Sequence, residues 1–302
     1  MDMGHFFILI VILGVLFSGS YLILSLGSEE QKYDDFFYSF EGQNVSGLQF
    51  YPNMRYRGEK INYSISDSCD SSKREDAVEA FSIIDMSSSI SFYEVSDNGE
   101  IRILCSDVAP KPEEETHFVA GEGGPSEIIN ASVYSVILVG KVSLYRSEKC
   151  SSPQIAIHEV FHALGFDHSN SPSDVMYPVT DCSQKISNKV FESIDELYSV
   201  KSAPDLVIEK SNASQSGRFL SFQISVANFG LKDANSVKLT VYADSEEVNS
   251  YDLNVVGIGV RKMIKVQNLK LSSGVKRVSF SVETDENEIS KSNNVVEMFV
   301  EE

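Results

Sequence analysis

The chain has 302 residues, 42% hydrophobic and 23% charged, which is room for about two globular domains and too apolar for wholesale disorder. Its formal net charge of −19 argues against non-specific nucleic-acid binding, which needs an excess of lysine and arginine, and describes a well-solvated, self-repelling surface. The four cysteines show no CxxC spacing, so they argue against a cysteine zinc site and fit disulfides in an exported protein.

In chain order, the run from Phe6 to Leu26 carries no charge. As a helix it would span about 30 Å, the thickness of a bilayer core. Two readings stand: a signal anchor over 1–27, or a signal peptide cleaved after Ser20. The apolar residues Tyr21, Leu22, Ile23 and Leu24 beyond that point favour the anchor. Either way the remainder is exported, to the cell surface if anchored or secreted if cleaved. Residues 28–56 read as a stalk or short pro-region. Ile61, Tyr63 and Ile65 then alternate with polar residues as a strand does. Ser71 and Ser72 are expected to cap a helix with Ala77, Ala80, Phe81 and Ile84 on one face. Strands follow at 91–95 and 101–105, around the turn Asp97-Asn98-Gly99, and then a surface loop over 109–125 rich in proline, glutamate and glycine. Residues 133–145 should supply one or two strands. Ser152 as cap and Pro153 in the first turn announce a helix ending at Gly165, and a last helix covers 189–200. This order predicts an α+β domain over 57–202. From Ala203 strands recur at 219–227, 237–242, 260–266, 275–282 and 295–300, which predicts an all-β sandwich over 203–302. Sequons at Asn44, Asn62, Asn130 and Asn212 permit glycosylation.

The first of the two long helices of the C-terminal half of this domain carries the chemistry. His158-Glu159-Val160-Phe161-His162-Ala163-Leu164-Gly165-Phe166-Asp167-His168 reads HExxHxxGxxH. Residues four apart share a helix face, so His158 and His162 can grip one ion, and Gly165 lets the chain turn back to bring in His168. Three histidines leave one position open, as in catalytic rather than structural zinc sites, and Glu159 stands beside that position as general base for a zinc-bound water. With five histidines in the chain, this spacing arises by chance on the order of once in a hundred thousand, which disfavours a merely buried helix.

The motif resembles that of the metzincins, and its flanks resemble the matrixin branch. Val175-Met176-Tyr177-Pro178 matches the family's methionine turn, and Ser169 is the matrixin residue after the third histidine. The resemblance implies a catalytic domain with a twisted mixed sheet plus helices, and one catalytic Zn2+ on His158, His162 and His168. It further implies Met176 flooring the metal site and Pro178, Val179 and Thr180 walling the pocket for the residue after the scissile bond. The activity implied is that of a zinc-dependent endopeptidase acting on a protein or peptide substrate. Calcium (Ca2+) is allowed for without assigned residues. Two departures stand out: only His117 remains of the histidines that would hold a structural zinc, and no cysteine precedes Cys69 to block the catalytic one. The last hundred residues resemble a cell-adhesion-related domain of bacterial and archaeal surface proteins, an immunoglobulin-like sandwich. Asn228-Phe229-Gly230, the run Asp285-Glu286-Asn287-Glu288-Ile289 and Asn293-Asn294 carry that likeness. The acidic run reads equally as a ligand site or as a turn before the last strand. The alternative to an active protease is a catalytically inactive adhesion or recognition protein, and the intact motif favours the enzyme.

Cysteine pairing follows from the expected elements. If the strands near Ser66 and over 101–105 run parallel, Cys69 and Cys105 sit at one end of the sheet. Cys150 precedes the histidine helix and Cys182 follows the methionine turn, so Cys69–Cys105 and Cys150–Cys182 is the expected pairing among three.

Overall fold

The computed structural model describes residues 47–111 and 119–299. The apolar run from Phe6 to Leu26 and His117 lie outside the described residues. Among those described, no helix is long and apolar enough to cross a membrane.

Six strands build the first sheet: β1 (Met54–Tyr56), β2 (Lys60–Ile65), β3 (Ser91–Glu94), β4 (Ile101–Cys105), β5 (Gly121–Asn130) and β6 (Ser135–Leu144). Their order is β1-β6-β4-β2-β3, all parallel, with β5 antiparallel on the other edge of β6. The sheet is therefore mixed, and β5 has no second partner strand among the described residues. Helix α1 (Ser71–Asp85) buries Ala77, Ala80, Phe81 and Ile84, with the Phe81 ring stacked on Tyr63 at 4.0 Å. Helix α2 (Gln154–Ala163) is buried on every side, as its Ala, Ile, Val and Phe content requires, and α3 (Asn188–Ser199) buries Val190, Ile194 and Leu197.

Four expectations need correction. The stalk reading of 28–56 fails at its end: Met54 and Tyr56 are fully buried in β1, and Tyr56 donates from its hydroxyl to the Ala163 carbonyl. Asp70, not Ser71 or Ser72, caps α1, accepting from the Lys73 amide at 2.9 Å, because a carboxylate at that point also meets the positive end of the helix. Ser152 does not cap α2. Glu148 accepts from the Ile155 amide at 3.0 Å in its place. Finally, the loop expected over 109–125 ends early, since Gly121–Asn130 is strand β5.

Beyond residue 203 two sheets face each other. One has the order β10-β9-β12-β13 and the other β11-β8-β7, from β7 (Leu206–Ser216), β8 (Phe219–Asn228), β9 (Ala234–Ala243), β10 (Glu246–Val256), β11 (Arg261–Lys270), β12 (Arg277–Glu283) and β13 (Val295–Phe299). Their shared core includes Phe222, Ile224, Leu239, Val241 and Phe280. The acidic run serves the turns here. Glu286 pairs with Lys232 and Asn235, Glu288 accepts from the Leu206 amide, and buried Asn228 bonds the Asp205 and Gly230 amides. A third apolar cluster, Ala131 and Val136 of the β5–β6 hairpin with Leu231 and Ile258, joins the two domains within one compact unit.

Candidate metal centre

Helix α2 ends in a left-handed glycine. Gly165 has φ +95°, its amide donates to His162, and the next amide, Phe166, donates back to Phe161. These are the two bonds of a Schellman cap. A β-carbon on Gly165 would also strike the Met54 side chain at 2.6 Å. The turn delivers His168 to the face that already carries His158 and His162.

The ring nitrogens of His158, His162 and His168 that could bind a metal all lie within 4.8 Å of one another. His162 Nε2 is 2.9 Å from His158 Nε2 and 3.2 Å from His168 Nε2. A tetrahedral cation with Zn–N bonds of ~2.0–2.1 Å needs nitrogens about 3.3 Å apart, so the donor set fits zinc. The opposite nitrogens are already spent: His158 Nδ1 lies 2.6 Å from the Val175 carbonyl and His162 Nδ1 2.7 Å from that of Phe166. Donation to a carbonyl fixes the tautomer that leaves Nε2 as a lone-pair donor. Burial pushes His162 down to about 4, with His158 next in effect, and lowers His158 as well. Both rings are thus neutral at physiological pH, the form that coordinates.

Glu159 is buried on the same helix. Burial first, and then the Glu122 carboxylate, push its carboxyl up to about 8. A cation held by the neighbouring histidines would oppose that shift and favour the carboxylate. Strand β5 passes over this residue so closely that Gly121 and Gly123 have no room for a side chain. A β-carbon at Gly121 would come to 2.6 Å from Glu159 Cγ, and one at Gly123 to 2.2 Å from the Glu159 carbonyl oxygen.

Residues 53–199 match the matrixin family and residues 203–298 the CARDB family. The first domain is matrixin-like. No curated protein matches the chain. Among solved structures, it is similar to the CARDB domain of a Pyrococcus furiosus protein solved in complex with di-metal ions, at 19% identity, 32% of this chain, 87% of that one and a TM-score of 0.29. A solution structure of the same domain shows 20% identity, 32% and 94% coverage and a TM-score of 0.29.

Behind the triad of the matrixin-like domain lies the turn 174–177. Met176 is buried, its amide donates to Asp174 Oδ1 at 3.0 Å, and its carbonyl accepts from the Ser169 amide at 2.8 Å, next to His168. Pro178 and Val179 are exposed and Thr180 is half-buried. Disulfides join Cys69 to Cys105 and Cys150 to Cys182. β2 and β4 do run parallel, which brings the first pair together at their common end.

Three contributors escaped the sequence reading. Buried Gln184 donates to the Pro172 and Val179 carbonyls and accepts from the Asp181 amide, tying the segment after Met176 into one piece. Its own carbonyl accepts from Gln154 at the start of α2. Upstream, 48–50 pairs with the loop before His168: the Phe50 amide donates to Gly165, and the Asp167 amide donates to Leu48. The Phe50 ring stacks on His162 at 5.6 Å. Nothing in the local spacing of Leu48-Gln49-Phe50 announces these contacts, because their partners lie more than a hundred residues away.

Proposed function

We propose that the matrixin-like domain is a zinc-dependent endopeptidase with Glu159 as general base, hydrolysing protein or peptide substrates outside the membrane. The observation that carries this reading is the convergence of three imidazoles, two of them locked by backbone carbonyls, beside a buried carboxylate. Zinc held by His158, His162 and His168 would supply Lewis acidity and lower the pKa of a water at the position they leave open. Glu159 accepts a proton at its carboxylate and returns it to the departing amine. The edge of β5 away from β6, unpaired among the described residues, offers backbone donors and acceptors to an extended peptide, and the lack of side chains at Gly121 and Gly123 keeps that strand close to Glu159. Met176 supports the histidines from below, while Gln184 holds the segment whose Pro178, Val179 and Thr180 would wall the pocket beyond the scissile bond. Two disulfides support an oxidising compartment, and hence a place at the cell surface.

The test is cleavage of a peptide library by the purified protein, with and without chelator, alongside Glu159→Ala. The variant should keep its zinc and fold and lose at least ~100-fold in hydrolysis, since general-base catalysis contributes 10²–10⁴. Near wild-type cleavage by Glu159→Ala would refute the mechanism.

A further inference from the structure

We propose that Glu122 selects substrates with a lysine or arginine at the residue paired across from it on β5, so that the preferred substrate is an extended basic segment. This deepens the peptidase reading above and rests on it.

Side chains alternate between the two faces of a strand. The β-carbon directions at Gly121 and Gly123 point into α2, onto Glu159. Glu122, between them, therefore points to the opposite face. Its contact agrees: the Tyr145 hydroxyl donates to Glu122 Oε2 at 2.5 Å, on an exposed surface. In the sheet Glu122 stands opposite Ser143 of β6, so its flank toward β6 is occupied by a small neutral residue. Lys141, diagonal to it on that face, makes no ion pair with it.

A peptide added to the edge of β5 that is unpaired among the described residues places alternate side chains on this same outer face, with Cβ atoms about 4.5–5.5 Å from their cross-strand neighbours. One of those side chains meets Glu122. Because the strand residues on either side of Glu122 touch Glu159, that position lies close to the bond to be cut. The hydrogen bond from Tyr145 fixes the carboxylate in place and leaves its charge and its Oε1 for a second donor. Holding the rotamer beforehand removes part of the entropy that usually cancels an exposed ion pair. The chain's net charge of −19 acts in the same direction at long range, favouring the approach of cationic segments.

The proposal is tested with matched peptides in which each position flanking the cleaved bond is Lys, Ala or Glu in turn, read as ratios of kcat/KM by the zinc-loaded protein. At one position Lys should exceed Glu by about tenfold, the sum of one favourable and one unfavourable cross-strand pair, and the ratio should shrink with added salt. Glu122→Gln should bring that ratio towards one, Glu122→Lys should invert it, and Tyr145→Phe should keep its sign. An unchanged ratio in Glu122→Gln overturns the proposal. So does a basic preference spread evenly over all positions, which net charge alone would produce. Failure to cleave any peptide would overturn the peptidase reading and this inference with it, whereas cleavage without a Glu122-dependent ratio would overturn this inference alone.

Discussion

Replacing Cys150 and Cys182 with serine tests whether the metal centre depends on its own covalent loop. The bond spans 32 residues and encloses His158, His162, His168 and Met176, whereas Cys69–Cys105 spans 36 and encloses none of them. On the chain-entropy relation the two bonds restrain the unfolded chain almost equally, by about 3.7 and 3.8 kcal/mol. Global stability should therefore fall by a similar amount in the Cys150→Ser/Cys182→Ser and Cys69→Ser/Cys105→Ser variants, a large share of the 5–15 kcal/mol typical of a domain. Metal affinity should separate them. Without Cys150–Cys182, the loop from Gly165 to Gln184 can open locally while the sheet stays folded, and each opening releases a ligand. The assays are urea denaturation in excess chelator for stability, then competition with a chromophoric chelator for the zinc Kd in native buffer. We expect the Cys150→Ser/Cys182→Ser variant to bind zinc at least ~10-fold more weakly, equivalent to about 1.4 kcal/mol, and the other to stay within about threefold. Equal losses of zinc affinity in the two variants, or none in the first, would refute the reasoning.

Three further outcomes follow from the same contacts. Gly123→Ala sets a methyl group against the Glu159 carbonyl and should cut kcat/KM by about 100-fold, as displacements near 1 Å do. Gly124→Ala, which meets nothing within 4 Å, should be close to neutral, and parallel activity and circular dichroism measurements decide between them. Phe50→Ala removes the ring stacked on His162, an interaction of about 0.5–1.5 kcal/mol, and should weaken zinc binding by about threefold to tenfold in the same competition assay. After chelation, Glu159 is a carboxyl whose folded pKa is raised, so its stabilising contribution is complete below about 4.5 and is lost as pH rises through about 8. His162 is depressed, so its contribution is complete above about 6.5 and is lost as pH falls through about 4. The two oppose each other between about 4.5 and 6.5, so the urea midpoint of the chelated protein should fall as pH rises from about 6.5 to about 8. In Glu159→Gln that fall should be absent, and an identical pH profile would disprove the assignment.

What the sequence disclosed and what it concealed divide along the range of the contacts involved. The triad was legible because its geometry is local: spacing along one helix, a glycine that can take φ +95°, and one short turn. The parallel relation of β2 and β4 was legible for a similar reason, since a helix between two strands implies it. The polar edge strands β7 and β10 were not, because an edge strand need bury little of either face and Glu246-Glu247 or Ser214-Gln215-Ser216 show no apolar alternation. The clasp of Leu48-Gln49-Phe50 on the loop before His168 stayed hidden because the stretch is polar and aromatic without period. β5 is the instructive miss. Gly121-Glu122-Gly123-Gly124-Pro125 has the composition of a loop, since glycine and proline are poor strand formers. Yet these glycines lie in a strand, and the atoms that a β-carbon would strike at Gly121 and Gly123 belong to Glu159. A side chain at either position would drive β5 away from the residue we propose as the base. The weakness of this segment as a strand therefore follows from a helix backbone that must pass beside it, which a reading of propensity along one stretch of chain has no means of weighing.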